Sequence, residues 1–144
     1  MKKAYIGRSG SGKTTKVLQD LTEAKNDQVI NENSTLVVIL KSELKNYKKV
    51  LPHATYCICE RDDFEFVNGA FKTLVVDSIY LSNERLLKLN ITPNDQLPEN
   101  IFWTFQGGID MSILFPDLDA KVKEKLHQID RDISESSECF VVEV

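Results

Sequence analysis

The run from Gly7 to Thr14, Gly-Arg-Ser-Gly-Ser-Gly-Lys-Thr, constrains this chain more than any other feature. It fits the pattern G-x-x-x-x-G-K-[ST] at every required position. On one side lies a short apolar segment, Ala4 to Ile6. On the other, Lys13 to Ala24 carries Val17, Leu18 and Leu21 at helical spacing. The segment therefore reads as strand, loop and helix. In such a turn the glycines let the backbone N–H groups of Gly7, Arg8, Ser9, Gly10, Ser11 and Gly12 converge on an anion, and the helix start adds its partial positive charge. Lys13 would reach the β and γ phosphates of a bound nucleotide. The Thr14 hydroxyl would coordinate Mg²⁺, and Thr15, by position, would lie near the α phosphate. The expected cofactors are ATP and Mg²⁺: guanine recognition normally rests on an Asn/Thr-Lys-x-Asp element, and the sequence contains none.

Further strands are expected at Thr35 to Leu40 and Thr73 to Tyr80, both read as buried, at the shorter Ala54 to Cys59, at Ile101 to Gln106 and at Cys139 to Val144. Helices are expected at the lysine-rich Lys41 to Lys49, at Ser82 to Leu89 and at Leu118 to Ile133, the last through Leu118, Val122, Leu126, Ile129 and Ile133. Asp63 to Phe71 has no clear period, and Thr92 to Asn100, with two prolines, reads as a loop. Strands alternating with helices imply an α/β domain with a mostly parallel sheet, and 144 residues provide for one such core.

Two polar residues stand out at strand ends. Asp77 follows Leu74-Val75-Val76, and a carboxylate there can sit beside the phosphate loop and hold Mg²⁺ through water; the alternative is an aspartate that shapes a turn. Gln106 ends the next strand, where its amide would contact the γ phosphate or the attacking water, or else serve the turn at Gly107 and Gly108. Lys13, Asp77 and Gln106 are thus the candidate catalytic residues, with Thr14 and Asp77 as metal ligands.

A phosphate-loop strand first, an aspartate strand near the middle and a glutamine strand after it resembles the additional-strand, RecA-like branch of P-loop NTPases. Thr73 to Ser78, TLVVDS, followed by Phe102 to Gly108, FWTFQGG, is similar to the FtsK/HerA-type translocases and to viral packaging and Zot-like ATPases. The resemblance implies a three-layer P-loop NTPase fold, with a central sheet of about five to six strands in the order 5-1-4-3-2. It also implies ATP hydrolysis coupled to DNA movement or particle assembly, and a ring of subunits. That branch places a water-activating glutamate directly after the aspartate, whereas this chain has Ser78. The candidate acidic residues for that role are Glu60, at the end of a neighbouring strand, and Glu84, on the following helix. An arginine finger, if there is one, would come from Arg61, Arg85 or Arg131; the alternative is that each is a surface ion-pair residue.

The charge of −4 argues against a stand-alone nucleic-acid coat, so DNA is a partner that the charge does not itself indicate; Lys41 to Lys49 is read first as a solvated face. Cys57, Cys59 and Cys139 read as reduced thiols, and His53 and His127 form no metal pattern with them. With no export signal and no apolar run near the roughly 20 residues of a membrane span, a soluble cytoplasmic protein is expected. The leading reading is a small ATPase with a protein partner or self-association. The alternatives are a nucleotide-binding switch that does not hydrolyse, and a nucleoside or nucleotide kinase. Against the kinase, Gly107 to Asp119 holds no arginine or lysine where a basic lid would be expected.

Overall fold

The apolar runs of the sequence become strands of one sheet because only a layer covered on both faces can bury an unbroken aliphatic segment. The computed structural model describes residues 1–8, 10–58, 71–78, 98–107, 118–133 and 135–143. Its strands are β1 (Lys2–Ile6), β2 (Thr35–Ile39), β3 (Thr55–Ile58), β4 (Thr73–Val76), β5 (Asn100–Phe105) and β6 (Phe140–Glu143). The helices among these residues are α1 (Lys13–Asn26), α2 (Leu44–Val50) and α3 (Ala120–Asp132). The six strands form one sheet in the order β3-β2-β4-β5-β1-β6. All neighbours are parallel except β6, which runs antiparallel to β1.

Alternation along the strands divides the core between two faces. Ala4, Ile6, Leu36, Val38, Leu74, Val76, Ile101, Trp103 and Phe105 pack with Leu126 and Ile129 of α3. Tyr5, Val37, Ile39, Val75 and Phe102 pack on the other face with Val17, Leu21 and Ala24 of α1 and with Tyr47 of α2. The molecule is an α/β structure with a mostly parallel sheet and helices on both faces.

Polar contacts fix α1 against this frame. The Tyr5 hydroxyl donates to Asp20 Oδ2 at 2.8 Å, and Lys3 Nζ lies 3.7 Å from the same oxygen. At the other end of the helix, Lys25 Nζ donates to the Val50 carbonyl at 3.0 Å and pairs with Glu32 at 3.2 Å.

Several element ends differ from the sequence expectation, and hydrogen bonds account for the clearest. The strand expected over Thr73 to Tyr80 stops at Val76, because Ser78 takes a left-handed backbone, φ 63, and its N–H donates to Thr104 Oγ1 at 2.9 Å. The helix expected from Leu118 starts at Ala120, because Asp119 caps it by accepting from Val122 N at 2.9 Å. The lysine-rich helix opens with a tight turn, Lys41–Glu43, before α2 proper. The strands expected at Ile101 to Gln106 and Cys139 to Val144 run over Asn100–Phe105 and Phe140–Glu143. The helix expected at Ser82 to Leu89, most of the stretch from Asp63 to Phe71, and Cys59 fall outside the described residues. Cys57 and Cys139 are free and partly buried. Among the described residues, no helix is long and apolar enough to cross a membrane.

Candidate functional site

Parallel strands end together, so whatever follows β1, β4 and β5 gathers at one edge of the sheet. The Gly7 to Thr14 loop follows β1, Asp77 follows β4, and Gln106 follows β5. Ile6 pairs with Phe105, and Gly7 N donates to the Phe105 carbonyl at 3.0 Å, which sets the start of the loop level with Gln106. Val76 pairs with Trp103, which sets Asp77 level with Thr104.

The loop itself is tightly turned. Gly10 and Gly12 adopt φ of 80 and 87, backbone that other residues enter only with strain. Ser11 N closes a turn onto the Arg8 carbonyl at 3.1 Å. Gly12 stands at the N-cap of α1 with no side-chain acceptor for the helix's first N–H groups. The positive end of α1 therefore opens into the loop. Ser11 Oγ is buried in the same turn without a hydrogen-bond partner among the described residues. Arg8 reaches out of the loop, and its Nη2 donates to the Ser136 carbonyl at 3.0 Å, tying the loop to the segment before β6. Ser9 lies outside the described residues.

Lys13 opens α1 yet is only 8% exposed, and its ammonium donates back across the loop to the Gly7 carbonyl. Burial holds this ammonium below the ordinary lysine range, while the charges of Cys139 and Asp77 draw it back up. Asp77 is thus close enough to act on Lys13 electrostatically. Thr14 is partly buried and Thr15 exposed. Both line an open cavity of about 460 Å³ between α1 and α2, shared with Leu18, Gln19, Asn46 and Lys49.

Asp77 is fully buried. Strand alternation points it to the face covered by α1 and α2, where the Tyr47 hydroxyl donates to its Oδ2 at 2.7 Å. Ser78 Oγ donates to Oδ1 at 3.2 Å, and Asp77 N donates to the Val38 carbonyl at 3.1 Å. Burial first, and then the charge and hydrogen bond of Asp77, push the Tyr47 hydroxyl well above the usual tyrosine value. Gln106 is exposed just past β5.

The loop, Lys13, Asp77 and Gln106 are therefore brought to one edge of the sheet. Glu60, Glu84, Arg61 and Arg85 lie outside the described residues. Arg131 is on α3 and donates to Gln128 Oε1 at 2.6 Å. Sequence reasoning missed Tyr47 and Thr104. The spacing Leu44, Tyr47, Leu51 marks a buried stripe on the lysine-rich helix, and Thr104 shares the strand alternation of Gln106; those were the available signals. Compared with protein-family models, curated proteins and solved structures, the chain has no significant match.

Proposed function

We propose that this protein binds ATP with Mg²⁺ on the Gly7 to Thr14 loop, as a small P-loop ATPase of the additional-strand branch. The observation that carries the reading is the meeting, at one sheet edge, of a glycine-turned loop enclosing a buried lysine with a buried aspartate. The strand order supports it. Read from β6, the order is β6-β1-β5-β4-β2-β3, with β5 separating the loop strand from the aspartate strand; it follows 5-1-4-3-2 only when β3 is set aside, and β6 differs from that pattern in running antiparallel to β1.

The residues present fit both ligands. Ser11 Oγ is a buried polar atom with no partner among the described residues, and the uncapped start of α1 offers N–H donors to an anion. Among the described residues no three His, Cys, Asp or Glu side chains cluster as a metal site. A divalent cation here would be held by the Thr14 hydroxyl, Asp77 and the phosphates themselves, an all-oxygen set that suits Mg²⁺. When bound, Mg²⁺ neutralises charge developing on the phosphate oxygens. Lys13 does the same from within the loop, at a position where burial has already removed most of its water. Among the described residues, the donors to Asp77 are the hydroxyls of Tyr47 and Ser78, neither of which carries a charge. Gln106, level with Gly7, would orient the attacking water. A role in DNA translocation, packaging or assembly, through a ring or a protein partner, belongs to this proposal on the resemblance of the strand order and of the TLVVDS and FWTFQGG segments.

One observation favours a second reading, a nucleotide-bound switch. The position after Asp77 carries no carboxylate, and the Ser78 hydroxyl is engaged with Asp77 itself.

Calorimetry and phosphate release, with and without DNA and nucleoside acceptors, separate these readings. Wild type is expected to bind Mg·ATP. Lys13→Ala is expected to lose about 3 kcal/mol of affinity, roughly 100-fold, since it removes a charge-assisted contact. Asp77→Asn should weaken binding only when Mg²⁺ is present, and Gln106→Ala should lower turnover while sparing affinity. Binding without phosphate release selects the switch, phosphate transfer to a nucleoside refutes the ATPase, and no binding at millimolar ATP ends the whole reading.

A further inference from the structure

We infer that Tyr47, on the lysine-rich helix α2, is a positioning residue for Asp77 that sets the protein's affinity for the divalent cation accompanying the nucleotide. The inference rests on the nucleotide-binding reading of the loop and concerns a residue that the reading does not use.

Tyr47 is fully buried, and its ring belongs to the core layer between α2 and the sheet, with Val37, Ile39 and Val75 around it. Packing alone would be served by phenylalanine. The hydroxyl instead ends 2.7 Å from Asp77 Oδ2, thirty positions along the chain, at the sheet edge where the loop lies. A carboxylate just past a strand end can rotate about its side-chain bonds. Two hydroxyls hold this one from opposite oxygens, Tyr47 at Oδ2 and Ser78 at Oδ1.

The two differ in stiffness. Ser78 is the next residue along the backbone, itself held by its N–H bond to Thr104 Oγ1. Tyr47 comes from a separate helix, on a ring gripped by the core, and so fixes the carboxylate relative to the rest of the fold. Each carboxylate oxygen has two lone-pair directions, so the one donor that each receives among the described residues leaves the other direction for a cation or its water. Partners of this kind orient ligands, and losing one typically weakens metal affinity by about 10–100-fold.

The test compares wild type, Tyr47→Phe and Tyr56→Phe by calorimetric titration of ATP across a range of Mg²⁺ concentrations and in EDTA. Tyr56 is the control: its hydroxyl donates to the Leu51 carbonyl at 2.6 Å, so its variant also loses a tyrosine hydrogen bond, but one remote from Asp77. Tyr47→Phe is expected to raise the Mg²⁺ concentration for half-maximal enhancement of ATP binding by about tenfold, to leave affinity in EDTA unchanged, and to add nothing in an Asp77→Asn background. Tyr56→Phe is expected to leave the Mg²⁺ midpoint where it is. If Tyr47→Phe does not fold, a fluorotyrosine at position 47, which keeps the ring and changes only the donor strength of its hydroxyl, should move the same midpoint. A midpoint equal to wild type in either variant, while wild type binds Mg·ATP, overturns the role of Tyr47 and leaves the nucleotide reading standing. Absence of ATP binding by wild type overturns both.

Discussion

Gly7 is glycine for reasons of space. A Cβ there would lie 2.3 Å from Ser11 Oγ and 3.0 Å from Ser11 Cβ, with the Glu138 carbonyl 3.4 Å away. The serine oxygen can swing aside, but its Cβ cannot, so the turn must open. Gly7→Ala is therefore expected to destabilise the fold by about 1–3 kcal/mol, the usual effect of overpacking. In a Ser11→Gly background the same change should cost clearly less, and a double-mutant cycle from denaturant melts measures the difference. At this scale the loop was legible because its chemistry is contiguous: glycines, lysine and threonine sit in one stretch. Tyr47 and Thr104 were not, since a tyrosine on a helix and a threonine in a strand acquire meaning only when register and packing bring them to Asp77 and Ser78.

At the level of elements, the interiors were readable and the ends were not. A short run such as Thr35 to Ile39 reads as a strand because it is rich in β-branched residues and too short for a buried helix, and it is one, buried along its whole length. The end of β4 depends on a bond between Ser78 and a residue of β5, which no local pattern announces. The contact joining α1 to α2 and β3 is of the same non-local kind. Glu32 pairs with Lys25 at 3.2 Å and accepts from the backbone N–H of His53. Burial raises the Glu32 pKa, but the His53 N–H and Lys25 outweigh it, so the carboxyl titrates below the usual glutamate value of 4.5. A depressed carboxyl adds stability that is complete above the unfolded value and is lost as pH falls through the folded one. Glu32→Gln is accordingly expected to lower stability by about 1 kcal/mol at pH 7. Its deficit against wild type should shrink as pH falls below 4.5, as followed by urea melts across pH.

For the whole molecule, the α/β class and the mostly parallel sheet followed from the alternation of elements, whereas the strand order did not. No residue of β5 states that it will insert between β1 and β4, and no local pattern sets β3 beyond β2 or turns β6 antiparallel to β1. The order has a thermodynamic consequence if the edge where these strands end is the nucleotide site. A ligand held by residues following three different strands stabilises the folded state as a unit, by about 2.7 kcal/mol at 100 times its Kd. Mg·ATP at that excess is expected to raise the melting temperature by roughly 5–15 °C. Lys13→Ala should show no such rise in a thermal-shift assay. The same order bears on how the protein is made. β1 leaves the ribosome ahead of its two neighbours, which are built from residues 100–105 and 140–143. The glycine turn is thus made before the strands that flank β1 and waits for them to take its place in the sheet. Closure of such distant pairings is slow, and a nascent chain stalled before Phe140 would present the open edge of β1 to chaperones or to other copies of itself.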